Sequence, residues 1–274
     1  MQILVLGASG MLGHTVYGLL SENKDWQVRG SARSEKTARF FPPEAAKKII
    51  YGVDAENWDA LTRLFDLTRP QIVVNCVGII KQIGKANDPL VAIPVNSILP
   101  HRLAKLCEAS GARLIHISTD CVYSGTKGGY RESDPVDPQD LYGQSKLLGE
   151  VSYSHAITLR TSIIGHELES SRSLVEWFLS QSGTVKGYRK AIYSGLPTVE
   201  MARIIRDIVI PHPELHGIYH VASRPISKFD LLHLIADVYG KKINIVFDDG
   251  VVIDRSLNAE RFHAATGYVA PDWP

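Results

Sequence analysis

Tyr142 and Lys146 lie four residues apart in the run from Leu141 to Glu150, which we predict to be a helix. On a helix this spacing puts a phenol and an amine on one face, about one turn apart. An ammonium group beside a tyrosine in a low-dielectric cleft stabilises the phenolate, so the pair can exchange a proton near neutral pH. Because a single pair with this spacing is more often part of an amphipathic surface helix, its role depends on what surrounds it.

The N-terminus has the order of elements that binds a dinucleotide. An aliphatic run, Gln2 to Leu6, is typical of a parallel strand buried on both faces, and a helical pattern follows from Met11 to Leu20. The glycines at 7, 10 and 13 allow a tight turn, and the helix N-terminus favours a pyrophosphate. The alternative is a glycine-rich turn without a ligand. We predict a dinucleotide site that is formed by Gly7, Ser9, Gly10, Met11, Leu12 and Gly13.

The end of the second predicted strand, Gln27 to Gly30, indicates which dinucleotide binds. An NAD site usually has an acidic residue there, which binds the ribose hydroxyls. Here the strand is followed by Ser31, Arg33 and Ser34, and a cation with hydroxyls suits the 2′-phosphate of NADP(H). We therefore predict NADP(H) as the preferred cofactor and NAD(H) as the second choice. The alternative is that Arg33 is an ordinary solvated cation.

The next two predicted strands also end in candidate cofactor contacts. Asp54 closes the third strand and is predicted to cap the helix from Trp58 to Leu67 or to contact the adenine. The fourth strand runs from Gln71 to Val77. Its carboxyl end carries Asn75, Val77 and Gly78, at the edge where open parallel sheets bind ligands.

A long helix from Pro89 to Ser110 carries Asn96, and Pro94 and Pro100 are expected to kink it or to mark broken turns. The fifth predicted strand, Arg113 to Ile117, leads into Thr119 and Asp120. A hydroxyl at this edge of a sheet is available for catalysis, although Thr119 could also be a helix cap.

Strands and helices alternate six times up to the strand around Ile157 to Arg160. This alternation predicts an α/β fold with a Rossmann-like, doubly wound parallel sheet. We predict a cofactor domain at 1–165, with segments around 191–221 also expected in it, and a small α/β substrate-binding cap that takes most of 166–274.

Composition excludes several classes of function. The net charge is +1 without a block of like charge, so we expect neither nucleic acid nor a membrane as a partner. The three cysteines are far apart in the chain, so we expect a reducing compartment. The histidines are not spaced as metal ligands would be, so we expect no metal site. The apolar N-terminus lacks a basic segment and a cleavage site, which favours a cytoplasmic protein.

In their order along the chain, the motifs resemble the extended short-chain dehydrogenase/reductase family. Two longer stretches, 118–135 and 141–150, are similar to its dTDP-4-dehydrorhamnose reductase branch, as are Leu159-Arg-Thr-Ser162 and Gly195-Leu-Pro-Thr198. The resemblance covers about the whole chain and is specific as a set, although each motif alone is weak. It implies an NAD(P)H-dependent reductase of a keto nucleotide-diphosphate sugar.

The resemblance also implies roles for individual residues. Tyr142 would donate a proton to the carbonyl oxygen, while Lys146 would bind the nicotinamide ribose and lower the pKa of the tyrosine. Thr119 stands where the family usually has a serine and would bind the same oxygen. Asn96 matches the helix asparagine that supports the lysine.

Substrate contacts are less clearly marked. Candidates are Asp120, beside Thr119, and four cations for the diphosphate, any of which could instead be solvated: Lys81, Arg172, Lys186 and Arg189. The loop at 77–85 departs from the family's alanine-rich turn, which leaves the identity of the sugar open.

Two other functions remain open. An epimerase or dehydratase could use the same scaffold, although Cys121 stands where dehydratases have a glutamate. A non-catalytic NADP-binding regulatory subunit is the other alternative, and the presence of both Tyr142 and Lys146 favours catalysis over it. The sequence also leaves open a homodimer.

Overall fold

Seven parallel strands form the central sheet of the computed structural model, which describes residues 1–80 and 87–274. The described strands are β1 Gln2–Leu6, β2 Gln27–Ser31, β3 Ile49–Ile50, β4 Ile72–Asn75, β5 Arg113–Thr119, β6 Ala156–Thr161, β7 Ile163–Ile164, β8 Thr184–Tyr188, β9 Ala191–Tyr193, β10 Leu196–Pro197, β11 Gly217–His220, β12 Ile226–Ser227, β13 Asn244–Asp248 and β14 Ile253–Asp254.

The described α-helices are α1 Met11–Ser21, α2 Pro43–Ala46, α3 Trp58–Thr68, α4 Pro89–Ala92, α5 Leu99–Ser110, α6 Leu141–Leu148, α7 Leu174–Ser180, α8 Thr198–Arg203, α9 Lys228–Val238 and α10 Glu260–Thr266. Short 3₁₀ segments cover Glu35–Phe40 and Asp120–Val122, and π-helical segments cover Ile93–Ile98 and Ile204–Val209. None of the described helices has the length and apolar character that crossing a membrane requires.

The strand order in the large sheet is β3-β2-β1-β4-β5-β6-β11, and every neighbouring pair is parallel. The order reverses between β1 and β4, so the carboxyl ends of these strands open a crevice. The predicted Rossmann-like, doubly wound α/β class is therefore confirmed. The outermost strand, β11, comes from the segment around 191–221 that was expected to join this sheet.

Helices cover both faces of the sheet because the side chains of β1 alternate between two cores. Ile3 and Val5 pack in one buried cluster with residues of α1, whereas Leu4 and Leu6 pack in another with residues of α3 and α5. All four side chains are almost fully buried, as the uninterrupted apolar run predicts for a central parallel strand.

Smaller elements follow the sixth strand. The strands β12, β9 and β14 form a three-stranded sheet, and β8 pairs with β13. A separate core contains Ile164, Phe178 and Leu231, which belong to β7, α7 and α9. We call the α7, β8, β9, β12, α9, β13 and β14 elements the cap.

One local prediction needs correction, and another is met in part. Asp54 does not cap α3: Asn57 does, since its side chain accepts a hydrogen bond from the Ala60 amide at 3.0 Å. Asp54 instead accepts from the Glu56 amide, because β3 ends at Ile50 and the chain turns before the helix. The helix predicted from Pro89 to Ser110 is interrupted at Pro94, as expected, by the π-helical segment Ile93–Ile98, whereas α5 contains Pro100 near its start.

Candidate active site

Thr119 is the last residue of β5 and lies at the carboxyl edge of the sheet. Its buried hydroxyl donates to Asp120 Oδ1 at 3.2 Å and accepts from the Cys121 amide at 3.1 Å. Thr119 is thus also the cap of the 3₁₀ turn, which is one of the two roles that its position in the sequence allows. Capping fixes the hydroxyl beside the carboxylate and does not exclude a role in catalysis.

Helix α6 brings Tyr142 to this strand end. The helix begins after Asp140, whose side chain accepts from the Gly143 amide at 2.8 Å. A Cβ on Gly143 would collide with the Cys121 carbonyl oxygen, so glycine allows α6 to lie against the turn that follows Thr119. The phenol of Tyr142 consequently lies beside the Thr119 hydroxyl. This hydroxyl acts to lower the pKa of Tyr142.

The electrostatic surroundings keep the Tyr142 phenol protonated. Burial raises its pKa, the carboxylates of Asp120 and Asp140 raise it further, and the Thr119 hydroxyl lowers it only in part. The stabilised phenolate that the sequence predicts is therefore not the state of this structure, because desolvation penalises the anion. A protonated phenol is the form that can donate a proton.

Lys146 follows one turn later on the same helix and is 6% exposed. Its ammonium group donates to the Ile117 carbonyl oxygen at 2.6 Å, which ties α6 to β5. Burial lowers the pKa of Lys146 to about 8. The amine can therefore gain or lose a proton near neutral pH.

Asn96 connects α6 with the loop after β4. Its side chain exchanges hydrogen bonds with the backbone of Ile79, at 2.9 and 3.0 Å, and donates to Ser145 Oγ at 3.2 Å. A Cβ on Gly149 would collide with the Asn96 carbonyl oxygen, so α6 and the π-helical turn are in close contact. Asn96 touches the residue before Lys146 and positions the helix that carries it.

The glycine-rich turn after β1 has the geometry that the sequence predicts. Gly7 has a φ of +75°, and a Cβ on Gly13 would collide with the Gly7 carbonyl oxygen. The turn thus leaves no room for a side chain at Gly7 or Gly13. It directs the backbone amide groups at the start of α1, where Gly10 is the N-cap, toward the ligand position. This cradle fits the diphosphate of a dinucleotide.

The other predicted cofactor residues lie on neighbouring strand ends. Ser31 ends β2 and its carbonyl oxygen accepts from the Ala8 amide at 2.8 Å, while Arg33 and Asp54 are exposed. Asn75 ends β4 and bonds His116 and the Val77 amide, both at 3.1 Å.

Val77 Cγ2 lies 3.0 Å from the Cβ position of Gly7, and Gly78 is near Asn96, so the β1 and β4 loops meet. Ser9, Met11 and Leu12 lie in the glycine-rich turn and the start of α1.

The predicted substrate cations are dispersed. Lys186 pairs with Asp248 at 2.7 Å and Arg189 with Asp249 at 2.9 Å, both on the surface of the β8–β13 pair. Arg172 is exposed, and Lys81 lies outside the described residues. Within the described ranges, the other three cations form no hydrogen bond with Thr119 or Tyr142.

Three residues near Asp120 have no counterpart among the predicted site residues. Arg255 donates to the Tyr123 carbonyl oxygen at 2.8 Å and to Cys121 Sγ at 3.6 Å. Burial raises the pKa of Asp120, and the charges of Arg255 and Lys228 oppose that shift. The third residue is Tyr193, whose pKa is raised by burial and further by the charge of Asp120. No motif marks these residues; the Gly195-Leu-Pro-Thr198 segment was the only nearby signal for Tyr193.

Comparison with known proteins identifies the family and supports the fold. A model of the RmlD substrate binding domain family matches residues 1–247. A Mycobacterium tuberculosis dTDP-4-dehydrorhamnose reductase is 32% identical over 171 residues, which are 59% of this chain and 49% of that protein. Methionine adenosyltransferase 2 subunit beta of Xenopus tropicalis is 27% identical over 86% of this chain and 71% of its own length.

A solved structure has the same fold. It is a dTDP-4-dehydrorhamnose reductase from Bacillus anthracis in complex with NADP, and it covers 100% of this chain and 96% of its own with a TM-score of 0.81. The identity of 20% is low, so this likeness supports the fold alone.

Proposed function

Because the chain belongs to the RmlD substrate binding domain family, we propose that it is an NAD(P)H-dependent reductase of a keto nucleotide-diphosphate sugar. The observation that carries the proposal is that Thr119, a protonated Tyr142 and a buried Lys146 meet at the carboxyl edge of the sheet, next to a glycine cradle for a dinucleotide. The relatives named as reductases support the same reaction.

The residues of this site would divide the reaction between them. A bound NAD(P)H supplies a hydride for the carbonyl carbon. Tyr142 donates its proton to the carbonyl oxygen as negative charge develops there, and the Thr119 hydroxyl binds the same oxygen by turning its single proton away from Asp120 Oδ1. Lys146 binds the nicotinamide ribose and, with a pKa of about 8, helps the phenol to regain a proton.

The proposal predicts a specific loss of turnover in Tyr142→Phe. We expect kcat to fall by about 100-fold or more, because the proton donor is removed. The affinity for NADPH should stay within about twofold, since the glycine cradle is unchanged. Oxidation of NADPH in the presence of a nucleotide 4-keto sugar that the unmodified protein reduces measures kcat, and fluorescence titration measures the affinity for NADPH. Tyr153→Phe is the control, since it removes a phenol outside the site.

A panel of nucleotide 4-keto sugars tests the activity itself. Consumption of NADPH or NADH with at least one of them is the expected result. If the purified protein binds the cofactor and oxidises it with none of them, the reductase proposal fails.

We propose NADP(H) as the preferred cofactor because Arg33 follows Ser31 at the end of β2, beside the glycine turn. An exposed guanidinium there is free to bind a 2′-phosphate. Arg33→Ala should weaken NADPH binding by about tenfold and leave NADH binding unchanged, as measured by fluorescence titration. Tighter binding of NADH than of NADPH to the unmodified protein would contradict this preference.

A second candidate is a non-catalytic regulatory subunit. It is favoured by the relative that is named as a subunit of methionine adenosyltransferase and aligns with 86% of this chain. Cofactor binding without any sugar reduction would support this candidate.

We also propose that 166–274 largely form the substrate-binding part of the protein. The cytoplasmic location and the homodimer stay predictions, and light scattering in solution would test the dimer.

A further inference from the structure

Tyr193 has an unusual position for a tyrosine. It ends β9, the central strand of the three-stranded cap sheet, and its ring packs in the cap core with Phe178 and Leu231. The residue is 7% exposed, yet its hydroxyl has no hydrogen-bond partner in the part of the chain that the structure describes. Ser162 is near enough to oppose the rise in the pKa of Tyr193, but the two side chains do not reach hydrogen-bond geometry. Buried hydroxyls are normally paired, so this one requires an explanation.

The register of the cap sheet aims this residue at the strand end that carries Thr119. Asp254 of β14 is opposite Ile192 in a parallel pair, so the next residue, Arg255, comes level with Tyr193. The guanidinium of Arg255 bonds the Tyr123 carbonyl oxygen and Cys121 Sγ. This face of the cap sheet therefore lies against the turn that follows Thr119.

A glycine makes room for the phenol. A Cβ on Gly195 would collide first with the Ser162 carbonyl oxygen and then with the Tyr193 hydroxyl, so glycine at 195 lets both groups approach closely. Gly195 begins the Gly195-Leu-Pro-Thr198 segment, so the start of this motif packs directly against the phenol.

Asp120 is the acidic group whose charge acts on Tyr193. It is buried, it accepts a hydrogen bond from Thr119 at 3.2 Å, and its charge adds to the effect of burial in raising the pKa of Tyr193. Arg255 and Lys228 supply positive charge on the other side of Asp120. The Asp120 carboxyl group thus interacts with the Tyr193 phenol through its charge and with Thr119, the residue that we assign to the carbonyl oxygen, through a hydrogen bond.

We propose that Tyr193 is a specificity-determining residue, which together with Asp120 binds a substrate hydroxyl on the carbon next to the carbonyl carbon. This inference rests on the proposed reductase function. The substrate hydroxyl donates to the Asp120 carboxylate and accepts from the Tyr193 phenol, so the buried phenol gains the partner that it lacks. Asp120 Oδ1 lies 3.2 Å from the Thr119 hydroxyl that we assign to the carbonyl oxygen, so the recognised hydroxyl is on the carbon next to the carbonyl carbon.

The variant Tyr193→Phe tests this assignment. We expect kcat/KM for dTDP-4-keto-6-deoxyglucose to fall by about 10- to 100-fold, because a site built for a hydroxyl loses one of its two partners. For the analogue that lacks the 3-hydroxyl, the unmodified protein should already be slow and the substitution should change little. The melting temperature should be unchanged or higher, since the removed hydroxyl has no partner among the described residues of the folded chain.

Tyr219→Phe is the matched control, because Tyr219 is a buried tyrosine of β11 in the core of the main sheet. It should leave the ratio of kcat/KM for the two substrates unchanged. The inference is overturned if Tyr193→Phe has no effect on either substrate, or if it slows both to the same degree.

A failure of the reductase proposal is distinguishable from a failure of this inference. If the unmodified protein reduces neither substrate, calorimetric binding of dTDP-6-deoxyglucose and its 3-deoxy analogue replaces the kinetic measurement. Tyr193→Phe should then weaken binding of the first ligand alone by about tenfold or more. Equal affinities of the variant and the unmodified protein for the first ligand would reject the assignment.

Discussion

At the scale of single residues, burial decides the chemistry of the site. Tyr142 and Lys146 occupy one helix face, as their spacing predicts, but the same desolvation acts on them in opposite directions. It raises the pKa of the phenol and lowers the pKa of the amine, because it disfavours the charged form of each. Both groups are consequently shifted toward their neutral forms, which suits proton transfer rather than an ion pair.

The lowered pKa of the buried Lys146 amine predicts how the free energy of unfolding depends on pH. Its pKa in the folded protein is about 8, below the usual value of 10.5, so the folded state loses the proton first. Below pH 8 the buried charge destabilises the fold, and this penalty disappears as the pH rises from 8 toward 10.5. Lys146→Met should therefore raise the free energy of unfolding by on the order of 1 kcal/mol at pH 7.

Urea unfolding between pH 7 and pH 9.5 measures this effect. The gain from Lys146→Met should shrink with rising pH while turnover is lost at every pH. The exposed Lys105→Met serves as the control. A gain that grows with pH would contradict the lowered pKa.

At the scale of elements, the close approach of β1 and α1 depends on glycines at particular positions. Gly13 lies against the Gly7 carbonyl oxygen, whereas Gly18, on the same helix, has nothing near its Cβ position. Glycine is therefore required for close packing at position 13, whereas at position 18 it only lowers the stability of the helix.

Gly13→Ala should force the turn apart, which we expect to destabilise the protein by about 1–3 kcal/mol and to weaken NADPH binding more than tenfold. Gly18→Ala should instead stabilise it by about 0.5–1 kcal/mol, because alanine has the higher helix propensity. Thermal unfolding and cofactor titration of both variants measure the contrast. Equal effects of the two substitutions would show that the turn is not as tight as the structure indicates.

At the scale of the whole molecule, a buried ion pair joins distant elements beneath Thr119. Arg160 of β6 pairs with Glu150 at 2.7 Å, and Ser118 of β5 donates to the same carboxylate at 2.7 Å. Arg160 also donates to the Tyr123 hydroxyl at 2.7 Å, which in turn contacts His220 of β11. The network holds the last three strands of the sheet and the loop after Thr119 in one arrangement.

Glu150→Gln should destabilise the protein by about 3 kcal/mol, because Arg160 would keep a buried charge without its counter-charge. Chemical denaturation measures this loss. The exposed pair of Lys105 and Glu108 provides the control, and Glu108→Gln should change stability by less than about 1 kcal/mol. A loss no larger than that of Glu108→Gln would mean that Arg160 is well solvated.

Features that are local in the chain follow from the sequence alone. The apolar run of β1, the glycine turn, the start of α1 and the Tyr142–Lys146 helix are each encoded within about 20 residues, where periodicity and backbone preferences decide the structure. The Rossmann-like class followed from their order. The prediction that Asp54 caps a helix was wrong because a neighbouring asparagine competes for the same position, which local patterns do not resolve.

The tertiary structure was needed to establish which charged and polar groups face the catalytic pair. Lys186 and Arg189, which looked available for a diphosphate, pair with carboxylates of β13 and the residue after it. Tyr193 and Arg255 instead come to Asp120 from positions more than 70 residues away in the chain. Their approach depends on the register of the cap sheet and on its packing against the turn after Thr119, and no local pattern of the sequence contains that information.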